Sequence, residues 1–186
     1  MKGRKVLYGV TGSIAAYKAC DAVFELRKAG AEVRVVMTRG ARRLVTPDTF
    51  RALSGQPVHW RLWNAPESPS MPHLALVEGI DLFVVAPATA NFLARMALGL
   101  ASDLLSSLAL SVRVPTIVAP AMNTQMLEHP ATQLHLRTLR ERGVKVLESG
   151  EGVLACGVEG KGKMAGVMVL LQEIGALLGK RSKAES

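Results

Sequence analysis

Lys5-Val-Leu-Tyr-Gly-Val-Thr-Gly-Ser-Ile-Ala-Ala-Tyr-Lys18 is the stretch that decides the fold. Its first six residues are a short apolar run that meets Thr11-Gly12-Ser13, and beyond the turn apolar residues fall at Ala15, Ala19, Ala22 and Leu26, the spacing of one helix face. The stretch reads strand, tight loop, helix. Gly30 suits the position just past a helix end. Glu32 to Met37, with Val33, Val35 and Val36, supplies a second strand, so one βαβ unit is complete by residue 37.

Outward from this unit the alternation continues. Thr46-Pro47 reads as an N-cap followed by proline at the first helical position, opening a short helix that stops at Gly55. Residues 56 to 72 hold four prolines and form the longest irregular segment. Ile80 to Ala86 and Val114 to Ala119 are near-continuous apolar runs of the kind buried on both faces of a parallel sheet, and Val144 to Leu147 is a weaker one. Helical patterns lie between them, from Asn91 to Ser111 with a break near Gly99, and from Pro130 to Arg142. Strands alternating with helices predict an α/β chain: a single-domain, Rossmann-like three-layer α/β/α sandwich with a mostly parallel sheet. The expected domain spans residues 1–180, with 181–186 as a polar tail.

Composition excludes several classes. The 186 residues are 49% hydrophobic and 20% charged, enough to fill a core. The longest apolar stretch, Leu82 to Ala90, is far shorter than the roughly twenty residues a bilayer span needs, and the basic N-terminus leads into no signal-peptide pattern; a cytoplasmic protein without membrane attachment is expected. Two cysteines cannot build a disulfide framework, and no spacing suggests a metal site. The net charge of +8 favours an anionic partner. That charge alone fits a nucleic acid, an acidic membrane surface or a phosphorylated small molecule, and with aromatics at 4% and arginines dispersed no sequence-specific nucleic-acid binding is expected.

In an open parallel sheet the ligand sits beyond the carboxyl ends of the strands, so the loops there carry the function. The first, Gly9 to Lys18, offers glycine for close backbone approach, a hydroxyl, and a helix start suited to phosphate, with Ser13 alternatively a plain N-cap. The second strand ends Met37-Thr38-Arg39-Gly40. An NAD site would place an acid there to bond the ribose, so NAD is disfavoured, while NADP through Arg39 or a mononucleotide such as FMN remains compatible. Two further strands end in matching motifs, Ala86-Pro-Ala-Thr-Ala-Asn91 and Ala119-Pro-Ala-Met-Asn123, where small residues leave room for a flat ring and each asparagine is either an N-cap or a ligand contact. His73 follows the Pro-rich segment. Cys156 lies among Gly150, Gly152, Gly157, Gly160 and Gly162, a composition that reads as a flap bearing a reactive thiol, whereas Cys20 falls within the first helix and reads as packed.

Taken together, Gly12-Ser-Ile-Ala-Ala-Tyr-Lys18, Pro87-Ala-Thr-Ala-Asn91, Pro120-Ala-Met-Asn123-x-x-Met126 and Leu154-Ala-Cys156-Gly-x-x-Gly-x-Gly-Lys-Met164 resemble the homo-oligomeric flavin-containing cysteine decarboxylases, from about residue 4 to residue 178. Within that family the Cys-Gly flap and the Pro-Ala-Met-Asn motif are most similar to the branch acting on 4′-phosphopantothenoylcysteine in coenzyme A biosynthesis. The resemblance implies a carboxy-lyase using FMN. The cysteine moiety is oxidised to a thioaldehyde, CO2 is lost, and the enethiol is re-reduced to 4′-phosphopantetheine. By the same resemblance His73 matches the base, Cys156 the proton donor of the reductive half, and Asn123 the residue holding the substrate carboxylate. Gly12, Ser13, Ile14, Thr38, Gly40, Thr89, Ala90, Asn91 and Ala121 match FMN-contact positions. The resemblance also implies a homotrimer or a dodecamer of trimers with FMN at a subunit interface, and functional coupling to a separate phosphopantothenate-cysteine ligase.

This chain departs from the family pattern at Thr89 for serine, Phe92 for threonine, Leu127 for tryptophan and Lys163 for arginine. Related readings on the same fold are a flavin prenyltransferase, a peptidyl-cysteine decarboxylase, and an FMN-binding regulatory subunit without catalysis.

Overall fold

The computed structural model describes residues 1–62, 72–155, 157 and 159–184. Six strands form one parallel sheet: β1 (Lys5–Val10), β2 (Glu32–Met37), β3 (Val58–His59), β4 (Leu82–Ala88), β5 (Thr116–Pro120) and β6 (Lys145–Val146). Their order across the sheet is β3-β2-β1-β4-β5-β6. It reverses between β1 and β4, and in such sheets the crevice at the reversal is where ligands bind.

Period-two burial divides the core. On β1, Val6, Tyr8 and Val10 pack with Leu82, Val84 and Ala86 of β4 on one face, under α1 (Ala16–Lys28), α2 (Pro47–Ser54) and α8 (Val167–Ala184). Leu7, Phe83 and Val85 face the opposite way, under α3 (Pro72–Val77), α4 (Ala90–Leu98), α5 (Leu104–Ser111) and α7 (Pro130–Glu141). Both faces are covered, which is why these strands are apolar without interruption. At Gly9 an α5 side chain presses on the sheet: a Cβ there would lie 2.6 Å from the Leu105 side chain.

The helix boundaries follow local chemistry. Thr46 accepts a hydrogen bond from the Thr49 N–H at 3.4 Å, Pro47 occupies the first turn, and Gly55 closes α2 in the left-handed region at φ 69°. Arg27 of α1 donates to the last carbonyls of α2, those of Ala52 and Leu53, both at 3.1 Å. The apolar run from 91 to 111 divides at Gly99 (φ 73°), as its sequence indicates. Asp103 then starts α5 with a capping box, accepting from the Ser106 N–H at 2.8 Å while the Ser106 hydroxyl accepts from the Asp103 N–H at 3.0 Å.

Three features differ from the sequence reading. β3 lies inside the segment taken as irregular, where two residues pair with Val35 and Val36 at the sheet edge. The glycine-rich segment forms an antiparallel hairpin, β7 (Gly150–Val153) and β8 (Glu159–Lys163), instead of a bare flap. Pro87 lies within β4, not after it, at a bulge between Val85 and Ala88 where its missing N–H breaks no regular ladder bond. Among the described residues no helix is long and apolar enough to cross a membrane.

Candidate functional site

Thr11 is the hinge pin of the site. Only 1% exposed at the end of β1, its hydroxyl donates to the Pro87 carbonyl at 2.8 Å and accepts from the Thr89 N–H at 3.0 Å. Its own N–H also reaches the Pro87 carbonyl, at 3.3 Å. The two strand ends at the topological reversal are thereby fixed to one another. Next along the sheet the Ala121 N–H donates to Ala88 at 3.1 Å, and on the other side the Thr38 N–H donates to Val10 at 3.0 Å. Four consecutive strand ends are sewn into one rim.

A cavity of about 400 Å³ opens at that rim, a size within the usual small-molecule range. Its floor is Thr11 and Gly12 from the β1 loop and Thr38, Arg39 and Gly40 from the β2 loop. Thr89, Ala90, Asn91 and Phe92 at the start of α4 form one wall, with Arg95, Asp103 and Met126 farther round. Gly12 and Gly40 face each other so closely that a Cβ on Gly12 would lie 2.9 Å from the Gly40 Cα. Any larger residue at either position would push the two loops apart and fill the cradle.

The wall formed by α4 has anion chemistry. Thr89 is its N-cap, its hydroxyl accepting from the Phe92 N–H at 3.4 Å and its carbonyl from the Leu93 N–H at 3.0 Å. The N–H groups of Ala90 and Asn91 precede the first intrahelical bonds, and both residues line the cavity. Arg95, one turn on, pairs with Asp103 at 2.6 Å, so a cation and a helix start border the same space. A cradle closed by glycine backbones, hydroxyls, and a helix N-terminus fits a phosphorylated mononucleotide bearing a flat ring. The second strand ends without an acid, which does not suit an NAD ribose.

Of the residues matched to FMN contacts, Gly12, Thr38, Gly40, Thr89, Ala90 and Asn91 line this cavity, whereas Ser13, Ile14 and Ala121 do not. Ser13 is not the helix cap either. α1 begins later, at Ala16, and the Ser13 hydroxyl accepts from the Ala15 N–H at 3.4 Å within the loop. Asn91 sits inside the first turn of α4, because Thr89 already occupies the cap. Asn123 does cap a helix, α6 (Thr124–Glu128), its Oδ1 accepting from the Gln125 N–H at 2.8 Å. His73 lies in α3, whose last turn is held by Arg34 of β2: that guanidinium donates to the carbonyls of Leu76 and Glu78 at 3.4 and 3.2 Å. The side chain of His73, and Cys156 altogether, lie outside the described residues.

Sequence reasoning missed Arg95 and Asp103. They are eight positions apart across a loop, and only the Asp103-x-x-Ser106 capping pattern hints that the carboxylate is fixed. Two of the departures from the family pattern, Phe92 and Leu127, fall on buried apolar positions. Phe92 is buried in the same apolar cluster as Leu93, Met96, Leu105 and Leu127, while also lining the cavity. Cys20 packs against the opposite cluster, and burial, with Asp21 beside it, pushes its thiol up, away from the reactive thiolate. Burial also raises the Tyr8 hydroxyl, which belongs to the core and not to the cavity. No group of three or more His, Cys, Asp or Glu side chains among the described residues could hold a metal ion.

Comparison with known proteins agrees with this geometry. The chain is 44% identical over 171 residues to the coenzyme A biosynthesis bifunctional protein CoaBC of Vibrio vulnificus, covering 92% of this chain and 43% of that one. It therefore spans less than half the length of such bifunctional relatives. A probable phosphopantothenoylcysteine decarboxylase of Streptococcus mutans is 42% identical over 173 residues, covering 92% of this chain and 97% of the relative. Among solved structures, the FMN-dependent cysteine decarboxylase SpaF superposes with a TM-score of 0.85 at 32% identity, over 97% of this chain and 98% of that one. A mutant PPC decarboxylase complexed with pantothenoylaminoethenethiol superposes over the whole of both chains, with a TM-score of 0.83 at 30% identity. Residues 1–179 match the family described as Flavoprotein, and the chain belongs to that family.

Proposed function

We propose that this chain is an FMN-dependent carboxy-lyase that converts 4′-phosphopantothenoylcysteine to 4′-phosphopantetheine in coenzyme A biosynthesis. The observation that carries the reading is the glycine-floored cavity at the topological reversal, walled by the start of α4. The relatives narrow the substrate: they include a probable phosphopantothenoylcysteine decarboxylase of nearly the same length.

Gly12, Thr38, Gly40, Thr89, Ala90 and Asn91 hold the cofactor, with Ser13, Ile14 and Ala121 flanking it. FMN held there would supply the reversible two-electron, hydride-transfer chemistry that the protein's own side chains lack. The protein does the rest. His73 removes the thiol proton, Asn123 holds the substrate carboxylate in an orientation set by its cap on α6, and Cys156 returns a proton to the product. The net positive charge draws in a substrate that carries phosphate and carboxylate.

Four large apolar side chains are about half exposed or more: Ile14 in the loop before α1, Tyr17 and Phe24 on α1, and Met126 at the cavity. They support a homo-oligomer, a trimer or a dodecamer of trimers, that covers FMN at a subunit interface. The bifunctional CoaBC relatives support coupling to a phosphopantothenate-cysteine ligase; the cytoplasm is the compartment proposed for both steps.

The test is direct. Purified protein should be yellow, release one FMN per chain on denaturation, and liberate CO2 from 4′-phosphopantothenoylcysteine. A dinucleotide, or no flavin after reconstitution, overturns the cofactor; bound FMN without CO2 release favours a regulatory FMN-binding protein. His73→Asn should retain FMN and lose turnover by on the order of a hundredfold, while Cys156→Ser should release CO2 once per site and then stop.

A further inference from the structure

The β7–β8 hairpin meets the rim at the loop that carries Asn123. The Met122 N–H donates to the Gly162 carbonyl at 3.1 Å, and the Thr124 hydroxyl donates to the Lys161 carbonyl at 2.7 Å. These two bonds flank Asn123 on either side in sequence. The glycines of β8 fit the same contact. Gly162 is buried at φ +139°, and a Cβ on it would run into the Met122 carbonyl oxygen. A Cβ on Gly160 would sit 2.5 Å from the Thr124 Oγ1. Two of the glycines that make this segment read as a flap are therefore required by close approach to residues 122–124.

We propose that Thr124 is a positioning residue that docks β8 onto the Asn123 loop, so that the carboxylate-holding asparagine and the β7–β8 hairpin, between whose strands Cys156 falls in the sequence, are set as one unit. The inference rests on the roles given above to Asn123 and Cys156. It deepens them by naming what aligns two segments that are far apart in the chain. Thr124 touches neither cofactor nor substrate in this account; it acts through the β8 backbone.

Thr124→Val removes the donor and keeps the shape, and Thr124→Ser keeps the hydroxyl. In the FMN-loaded protein, Thr124→Val should leave FMN content unchanged and raise KM for 4′-phosphopantothenoylcysteine about three- to tenfold, the range for one lost hydrogen bond. Its kcat should change less. Amide exchange at Met122 and along β8 should speed up by a similar factor, and Thr124→Ser should restore both readouts. Gly160→Ala, which crowds the same hydroxyl, should reproduce the effect, and the double variant should be less than additive. Wild-type exchange and KM in Thr124→Val would overturn the proposal, as would Thr124→Ser failing alongside it. If the wild-type protein releases no CO2, the functional reading falls, and the exchange measurement still decides the docking.

Discussion

The loop after β1 and the loop after β5 are each fastened by a threonine hydroxyl, and the two fastenings differ in kind. Thr11 is buried and bonds within the sheet, joining strands that are already neighbours, so its partners Pro87 and Thr89 belong to the core scaffold. Thr124 is half-buried and bonds outward, to a hairpin whose two strands form a sheet of their own beside the six-stranded one. The cofactor side of the proposed site is thus built from the same bonds that stabilise the domain, while the substrate side is an attachment. Damage to the first should register as global stability, and damage to the second as local order and KM.

The largest effect should come from Thr11→Val. The substitution conserves volume, removes the donor to the Pro87 carbonyl and leaves the Thr89 N–H without its acceptor, at a cost of about 2–3 kcal/mol for a buried polar network. Urea denaturation should show the loss as a lower midpoint at unchanged slope, with weaker FMN retention because Thr89 caps the wall helix. An unchanged midpoint would mean that the rim is held by packing alone, and the contrast with Thr124 would collapse.

Asp103→Ala should follow, at about 1–2 kcal/mol, since it removes the cap of α5. Asp103→Asn sharpens this: it keeps a capping oxygen for the Ser106 N–H and loses only the charge facing Arg95. If the ion pair matters to the cavity more than to the fold, the asparagine variant should melt nearly as the wild type does and bind FMN differently.

How legible this contrast is in the sequence depends on where the apolar groups are. β1, β4 and β5 are buried on both faces and β2 along the whole of one, so their runs announce themselves, and Thr46-Pro47, Gly55 and Gly99 mark helix ends by chemistry that needs no tertiary context. β3 does not, because two residues on an edge carry no period. The strands of the hairpin, Gly-Glu-Gly-Val and Glu-Gly-Lys-Gly-Lys, have no apolar alternation at all; their glycines answer to a neighbouring loop. Six of the nine matched cofactor positions meet in one cavity, and all six come from loops whose strands were readable. Arg95 and Asp103 escaped notice because a pair eight residues apart is visible only once the intervening loop has folded.

The edge of the sheet supplies a smaller test. His59 on β3 is held below the usual histidine value by burial first and by the nearby Arg34 charge second. Its folded form therefore resists protonation. The unfolded chain takes up the proton as pH drops below about 6.5, so this contribution to stability is present above that value and declines below it until the folded form titrates too. His59→Gln should flatten the slope of stability against pH in that window. A slope identical to the wild type's would assign the acid sensitivity to other groups.

The smallest effect should be Glu151→Gln, and its smallness is the point. Glu151 pairs across the hairpin with Lys161 at 3.2 Å, but the two side chains are 68% and 61% exposed. Solvent screening leaves such a pair worth at most about 0.5 kcal/mol. If the hairpin is held by the bonds from residues 122 and 124, losing this charge pair should change neither the denaturation midpoint nor amide exchange along β8, at low salt or high. A loss above about 1 kcal/mol, suppressed by salt, would show that the hairpin is stabilised by its own charges. Thr124 would then be a passenger on a self-sufficient element, and the distinction between a built-in wall and a docked one would have to be drawn elsewhere.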